Sequence, residues 1–337
     1  MKDLRNYSLL KHNTFGIPAE AKRFVEFDSS AEVLQFLQKE NLSEQKYFVI
    51  GGGSNLLFLR DFDGLILHSA ISDIEVLEES EQEIRIRVGS GVNWDEFVAY
   101  CVCHNWGGLE NLSLIPGEVG ASAVQNIGAY GAEAGDRIYR IEAYSLQDAS
   151  FRSFVREECE YAYRSSIFKK EQKNRYFITH VCFSLEKRPV LNLEYKGIRE
   201  LLPTDRDITL NDVRQAIITL RNSKLPLPEE YGNAGSFFMN PVVPVSVLDA
   251  LRKRYDRVPF YQVDDHLVKI PAAWFIDQCG WKGKVRGRAA VYAKQPLVLI
   301  NTGGAKAEEI VDLAAAIIDD VYKNFGVRLQ PEVNYVE

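Results

Sequence analysis

Gly51-Gly52-Gly53-Ser54-Asn55-Leu56 follows directly on the apolar run Tyr47–Ile50, and the reading of the fold turns on it. A strand that ends in glycines can bring backbone N–H groups up to a pyrophosphate, because no Cβ intrudes and positive φ is open to the chain. The plain alternative is a tight turn, and for one such loop standing alone that is the default. The segment is not a P-loop, since no Lys-Ser/Thr pair follows. It is not a dinucleotide fingerprint either: it begins Gly-x-Gly, but Leu56 stands where the third small residue belongs, and Leu56-Leu57-Phe58-Leu59 is no clear helix start. P-loop and regular βαβ folds are both disfavoured.

A second glycine-rich stretch runs Ile115-Pro116-Gly117-Glu118-Val119-Gly120-Ala121-Ser122-Ala123-Val124-Gln125-Asn126-Ile127-Gly128-Ala129-Tyr130-Gly131. It offers closely spaced small residues with two amides and a hydroxyl. Two loops of this kind suggest one long phosphate-bearing ligand lying across both, a reading we place ahead of two unrelated turns.

Working outward, Ser30 is expected to cap a short helix with Val33, Leu34 and Leu37 on one face. Ile84, Ile86 and Val88 alternate as in a half-buried strand, and residues 93–104 place Trp94, Phe97 and Cys101 at helical spacing. Strands are expected at 140–146 and 176–185, and helices at 210–222, 245–255, 272–279 and 307–324. Pro271 and Gly326 serve as start and stop signals. Ser223-Lys224-Leu225-Pro226-Leu227-Pro228 is the best domain boundary, its prolines ending the preceding helix. A last strand is expected over 327–336. Mixed strands and helices around two long loops make the class α+β.

At 337 residues the chain should bury its apolar surface in two or three packed domains. A net charge of −7 argues against a nucleic-acid or anionic-membrane partner, while allowing a local basic pocket. No run approaches roughly eighteen apolar residues, and the N-terminal stretch lacks an apolar signal core. The five scattered cysteines form no disulfide framework, so a reducing, cytoplasmic setting is expected. Cys101-Val102-Cys103-His104 suggests a metal at first sight, but cysteines two apart on a helix do not share a face, and no metal site is expected.

Several motifs then occur in order: Asn13-Thr14-Phe15-Gly16, the two loops, Tyr163-Arg164-Ser165-Ser166-Ile167-Phe168, Gly232-Asn233-Ala234-Gly235-Ser236-Phe237-Phe238 and Pro331-Glu332. Each alone is weak. Together, at these spacings and across nearly the whole chain, they resemble the UDP-N-acetylenolpyruvoylglucosamine reductases. The resemblance implies a two-subdomain FAD-binding domain of the vanillyl-alcohol-oxidase type and a smaller α+β substrate-binding domain. The implied division is 1–69 with 326–337, then 70–218, then 219–325. Leu191-Asn192-Leu193-Glu194-Tyr195 resembles the branch of the family that closes a tyrosine-bearing loop over the substrate.

The implied reaction reduces UDP-N-acetylglucosamine enolpyruvate to UDP-N-acetylmuramate, for peptidoglycan. NADPH reduces a dissociable FAD, whose N5 delivers hydride to the enolpyruvyl C3, and a proton is then supplied at C2. Ser236 matches the family's proton donor, Arg164 the cation facing the growing negative charge, and Glu332 the third catalytic position. Without their motifs these would read as a turn serine, a surface ion pair and a solvated carboxylate. The cofactor contacts implied are Gly51, Gly52, Gly53, Ser54, Asn55, Leu56, Ile115, Pro116, Gly117, Gly120, Ala121, Ser122, Gln125, Asn126 and Gly128. Tyr130, Tyr163, Tyr195, Lys224, Asn240 and Gln295 match substrate contacts, with Lys224 and Tyr195 at the diphosphate. A monomer is expected.

Two departures stand out. Asn334 occupies a position where the family often has arginine, and Met239 one often basic in relatives. Competing readings are a flavin oxidase on the same scaffold, which would not need Arg164, Ser236 and Glu332 together, and a non-catalytic sugar-nucleotide binder, which would be expected to have lost one of them.

Overall fold

The computed structural model describes residues 1–337. The chain divides into two compact units. Unit one comprises Met1–Tyr7, Ala21–Gly52 and Asp63–Arg221; unit two comprises Ser8–Glu20, Gly53–Phe62 and Asn222–Glu337.

Unit one holds two sheets. The first has the order Lys2–Ser8, Glu20–Phe27, Phe62–Ser69, Tyr47–Ile50, and its last two strands run parallel. Helix Ser30–Lys39 buries Val33, Phe36 and Leu37 in one cluster with Val25, Phe27, Leu65 and Leu67. Its cap is Ser29, whose hydroxyl accepts from Glu32 N, rather than Ser30, which is already helical. The second sheet is antiparallel, in the order Phe151–Val155, Ile138–Ser145, Tyr176–Glu186, Glu83–Gly89, Ile74–Glu79. Ile84, Ile86 and Val88 are all fully buried, as their alternation predicts. They join Trp94, Phe97, Val98 and Cys101 of helix Trp94–Cys103 in the largest core of this unit, whereas Cys103 is exposed. Burial of each such large side chain is worth roughly 1.5–3 kcal/mol. Helix Leu210–Lys224 packs Val213, Ala216 and Ile217 with Ile198 and Leu202.

Unit two is built on an antiparallel sheet of order Gly232–Ser236, Val298–Asn301, Ala289–Val291, Val285–Arg286. A three-stranded sheet of order Val242–Pro244, Leu267–Lys269, Tyr261–Gln262 accompanies it. Helix Ala307–Phe325 buries Ala307, Ile310, Ala314, Ile317 and Val321, steps of three and four that mark one face, with Leu313 beside them. Gly326 then ends it at φ +69°.

The mixture of sheets and helices is α+β, as expected. Two local expectations change. The second glycine-rich stretch contains a helix, Val119–Gln125, because its small residues are held by packing rather than by periodicity. The last strand is only Asn334–Val336 and pairs in parallel with Leu56–Phe58. No helix is long and apolar enough to cross a membrane.

Candidate active site

Gly51 and Gly52 of the first loop meet the second loop in unit one. A Cβ on Gly51 would stand 3.0 Å from Ala121 Cβ and 3.2 Å from Glu118 Oε2, and one on Gly52 would stand 3.4 Å from Gly117 Cα. A Cβ at Gly51 would make its neighbours give by a few tenths of an ångström, while one at Gly52 meets ordinary contact and only a branched side chain there would press on the second loop. The N–H groups of Gly51, Gly52 and Gly53 donate to no acceptor within the chain. Consecutive unpaired amides at a strand end suit an anionic ligand such as a pyrophosphate. Gly120 is set just as tightly, since a Cβ there would lie 2.7 Å from Ser90 Cβ. Ser122 is buried and donates its hydroxyl to Val119 O at 2.6 Å.

Asn126 ends the short helix in the left-handed region, at φ 49°. Its amide donates to Glu133 Oε2 at 2.7 Å and Ala162 O at 2.9 Å, and accepts from Gly135 N at 2.9 Å. Through Ala162 it fixes a tight turn, because Ala162 and Ser165 exchange backbone hydrogen bonds at 3.1 and 2.9 Å. Tyr163 and Arg164 form the tip, with Arg164 at φ 54°, a conformation unfavourable for a residue with a side chain. The guanidinium lies 5.2 Å from the Tyr163 ring centroid, and its Nη1 is 3.1 Å from where a Gly128 Cβ would stand. Lys169 Nζ donates to Arg164 O at 3.1 Å, and Ser166 Oγ to Val124 O at 2.7 Å. The Arg164 motif is therefore anchored on the second loop.

At the end of that loop the Tyr130 and Tyr195 rings meet edge-on, 4.8 Å apart. Asn111 Nδ2 donates to Tyr130 O and Asn192 O, and Asn192 Nδ2 to Gly131 O, which ties the inserted segment to the loop. Burial raises the Tyr130 phenol above its ordinary value, so it stays a neutral donor.

Sequence reasoning passed over Arg214 and Arg221, which share a face of helix Leu210–Lys224 by their spacing of seven. Arg214 grips Asp95 with two bonds, at 2.6 and 2.9 Å, and Asp95 in turn accepts from Leu114 N. Arg221 Nε donates to Leu114 O at 3.1 Å, and burial lowers its pKa from the usual arginine range. Leu114, at φ 59°, leads into the second loop. Glu118 and His68 were also passed over, because a buried carboxylate and a distant histidine carry no local pattern.

In unit two the Asn13-Thr14-Phe15-Gly16 motif clamps the serine strand. Asn233 N donates to Thr14 O at 2.9 Å, the Thr14 hydroxyl donates to Asn233 O, and Asn301 Nδ2 donates to Phe15 O at 2.9 Å. A Cβ on Gly232 would lie only 2.0 Å from Phe15 O. Asn233 Oδ1 accepts from Gly235 N at 2.9 Å, shaping the turn that presents half-buried Ser236. The next residue meets the last motif: Glu332 N donates to Phe237 O at 2.8 Å, and Met239 N to Gln330 O at 2.9 Å. Ser236 and Glu332 thus sit on paired segments.

Asn55 of the first loop belongs to the same cluster, its Nδ2 donating to Glu332 O at 3.3 Å. Asn334 donates to Asn55 O through both backbone N, at 3.0 Å, and Nδ2, at 3.4 Å. The departure from arginine therefore puts a short amide against the loop carbonyl. Lys224 closes helix Leu210–Lys224, and Asn240 Oδ1 accepts from Ala272 N at 2.9 Å, at the start of helix Ala272–Gln278. Gln295 lies in the turn before Val298–Asn301, where its carbonyl accepts from Val298 N at 3.0 Å.

Residues 227–336 match the family model of the UDP-N-acetylenolpyruvoylglucosamine reductase C-terminal domain, and residues 21–145 that of an FAD binding domain. A UDP-N-acetylenolpyruvoylglucosamine reductase of Bacteroides fragilis is 50% identical over 332 residues, spanning 98% of this chain and 99% of its own. The chain belongs to the UDP-N-acetylenolpyruvoylglucosamine reductase family. Another such reductase, of Porphyromonas gingivalis, is 46% identical over 336 residues, 99% of each chain. The solved UDP-N-acetylenolpyruvylglucosamine reductase of Thermus caldophilus superposes with a TM-score of 0.69 at 20% identity, covering 100% of this chain and 98% of its own, so the fold is shared. As a member of this reductase family with an FAD binding domain, the protein is an FAD-dependent oxidoreductase.

Proposed function

We propose that the chain reduces UDP-N-acetylglucosamine enolpyruvate to UDP-N-acetylmuramate with NADPH, a step of peptidoglycan precursor synthesis. The observation that carries this reading is the pairing of the Ser236 and Glu332 segments, through the bond from Glu332 N to Phe237 O at 2.8 Å, in a chain of this reductase family. Gly51, Gly52 and Gly53, with the second loop, would hold the FAD pyrophosphate through their uncommitted amides. Bound there, FAD would supply the enolpyruvyl C3 with hydride drawn from NADPH.

The chain's own residues deal with the charge that this leaves at C2, delocalised into the carboxylate. Arg164, held in its strained turn with the guanidinium over Tyr163, offers a planar fork of donors to that charge. Ser236 Oγ gives its proton to C2, an enolate carbon being basic enough to take a proton from a hydroxyl set against it. Glu332 is the third catalytic group, fixed by its backbone bond beside the serine segment. Tyr130, Tyr163, Tyr195, Lys224, Asn240 and Gln295 would contact the substrate. We read 1–69 with 326–337 and 70–218 as the FAD-binding subdomains, and 219–325 as the substrate-binding part.

The test separates the two half-reactions. Ser236→Ala should leave flavin reduction by NADPH unchanged and slow flavin reoxidation by substrate by about 10²–10⁴-fold, read as flavin absorbance in a stopped-flow instrument. Equal slowing of both halves would remove Ser236 from the proton-donor role. A yellow protein that consumes NADPH no faster when substrate is added would sink the reductase reading itself.

A further inference from the structure

A buried chain of ionisable groups in unit one has no part in the reaction just described. His68 lies on strand Phe62–Ser69, in parallel register with Ile50, the residue before Gly51. Its Nδ1 is 2.9 Å from Glu26 Oε2 and its Nε2 is 3.0 Å from Glu118 Oε1. The side chains are only 8%, 12% and 15% exposed for His68, Glu26 and Glu118. Glu26, on Glu20–Phe27, is also paired with Lys2 of Lys2–Ser8. The Phe24 ring stacks over the imidazole at 5.9 Å, and strand Tyr47–Ile50 brings the apolar Ile50 alongside. Glu118 belongs to the second glycine-rich loop, and its other oxygen points at the first: Oε2 is 3.2 Å from the Cβ position of Gly51.

A neutral imidazole has one N–H and could satisfy one carboxylate, whereas an imidazolium donates to both. Burial alone would lower the His68 pKa, but the bonds and charges of Glu118 and Glu26 outweigh it and hold the value above the ordinary one. Glu118 is pushed upward by its own burial, with His68 pulling the other way, so a bare carboxylate there is costly without its partner.

We propose that His68, acting through Glu118, is a positioning residue for FAD: the imidazolium holds the two glycine-rich loops together and cancels the charge that Glu118 sets beside the pyrophosphate-binding amides. The proposal rests on the reading that these loops hold the pyrophosphate. By linkage, a ligand that favours protonated His68 must bind more weakly once that proton leaves.

The experiment is FAD release from the full-length holoprotein on dilution, read by flavin fluorescence between about pH 6 and about pH 8.5. The wild type should lose affinity by about five- to tenfold across this range. His68→Gln, which keeps a donor and an acceptor but cannot titrate, should bind FAD without the wild-type inflection. Glu118→Gln, which keeps the size and a partner for His68, should move the inflection to lower pH and retain more FAD at the alkaline end. Wild type and His68→Gln falling in parallel would overturn the role of His68. If His68→Gln fails to fold, an unshifted inflection in Glu118→Gln does the same. Gly52→Val checks the underlying reading separately: it should shed FAD at every pH, and if it keeps FAD as the wild type does, the loops are not the pyrophosphate site and both readings fall.

Discussion

The second glycine-rich loop and the serine strand are both built to hold a few side chains in one place, but by different means. In unit one the loop is set by side chains: Asn126 spans three backbone and carboxylate partners, Asp95 grips Arg214 and Leu114 N, and Glu118 joins His68 and Glu26. In unit two the strand is set by neutral groups, mostly backbone, from Thr14, Phe15 and Asn301, with glycines where the chains touch. Neutral backbone pairing is indifferent to pH and intolerant of bulk. Charged side-chain scaffolding tolerates small adjustments and responds to protons. The contrast predicts which kind of perturbation each region resists.

The largest effect should follow from bulk in unit two. Gly232→Val places a Cβ where 2.0 Å separates it from Phe15 O, and backbone cannot swing aside as a side-chain tip can. We expect a loss of more than about 3 kcal/mol, measured by denaturant unfolding. A loss below about 1 kcal/mol would mean that the clamp is softer than the contrast requires. In unit one, Asn126→Ala should cost about 2–4 kcal/mol, since it strands Glu133 and the Ala162 carbonyl around a side chain only 1% exposed. It should also loosen the Arg164 turn, so substrate-dependent flavin reoxidation should fall further than stability alone explains. Equal reoxidation rates in Asn126→Ala and wild type would separate that turn from catalysis.

Much of this was legible in the sequence, for physical reasons that differ by region. Periodicity exposed the strand with Ile84, Ile86 and Val88 and the helix with Trp94 and Phe97, because both bury one face. The glycine loops were legible as loops, yet helix Val119–Gln125 was not, since its buried face is mostly glycine, serine and alanine and shows no apolar stripe. Leu56–Phe58 pairs with Asn334–Val336 from the far end of the chain, and nothing local to 327–333 said that the strand would be so short. The roles proposed for Arg164, Ser236 and Glu332 come from ordered motifs rather than from local pattern. His68 and Glu26 were invisible, lying 50 and 92 residues from Glu118, where only the fold brings them together.

The smallest effect lies in how stability depends on pH, and it tests the contrast most directly. The two buried histidines of unit one are shifted in opposite directions from the unfolded value of 6.5. His180 is lowered by burial and by Arg87, so the unfolded chain binds the extra proton below pH 6.5 and stability rises as pH climbs toward that value. His68 is raised, so the folded chain keeps its proton above pH 6.5, and its contribution is lost as pH rises through the folded value. Melting temperature without added FAD should therefore peak near pH 6.5 and decline on the alkaline side. His68→Gln should remove that decline while leaving the acid limb, and His180→Asn should flatten part of the acid limb while leaving the decline. If the alkaline decline persists unchanged in His68→Gln, the proton is held elsewhere, and unit one owes its loop geometry to neutral contacts as unit two does.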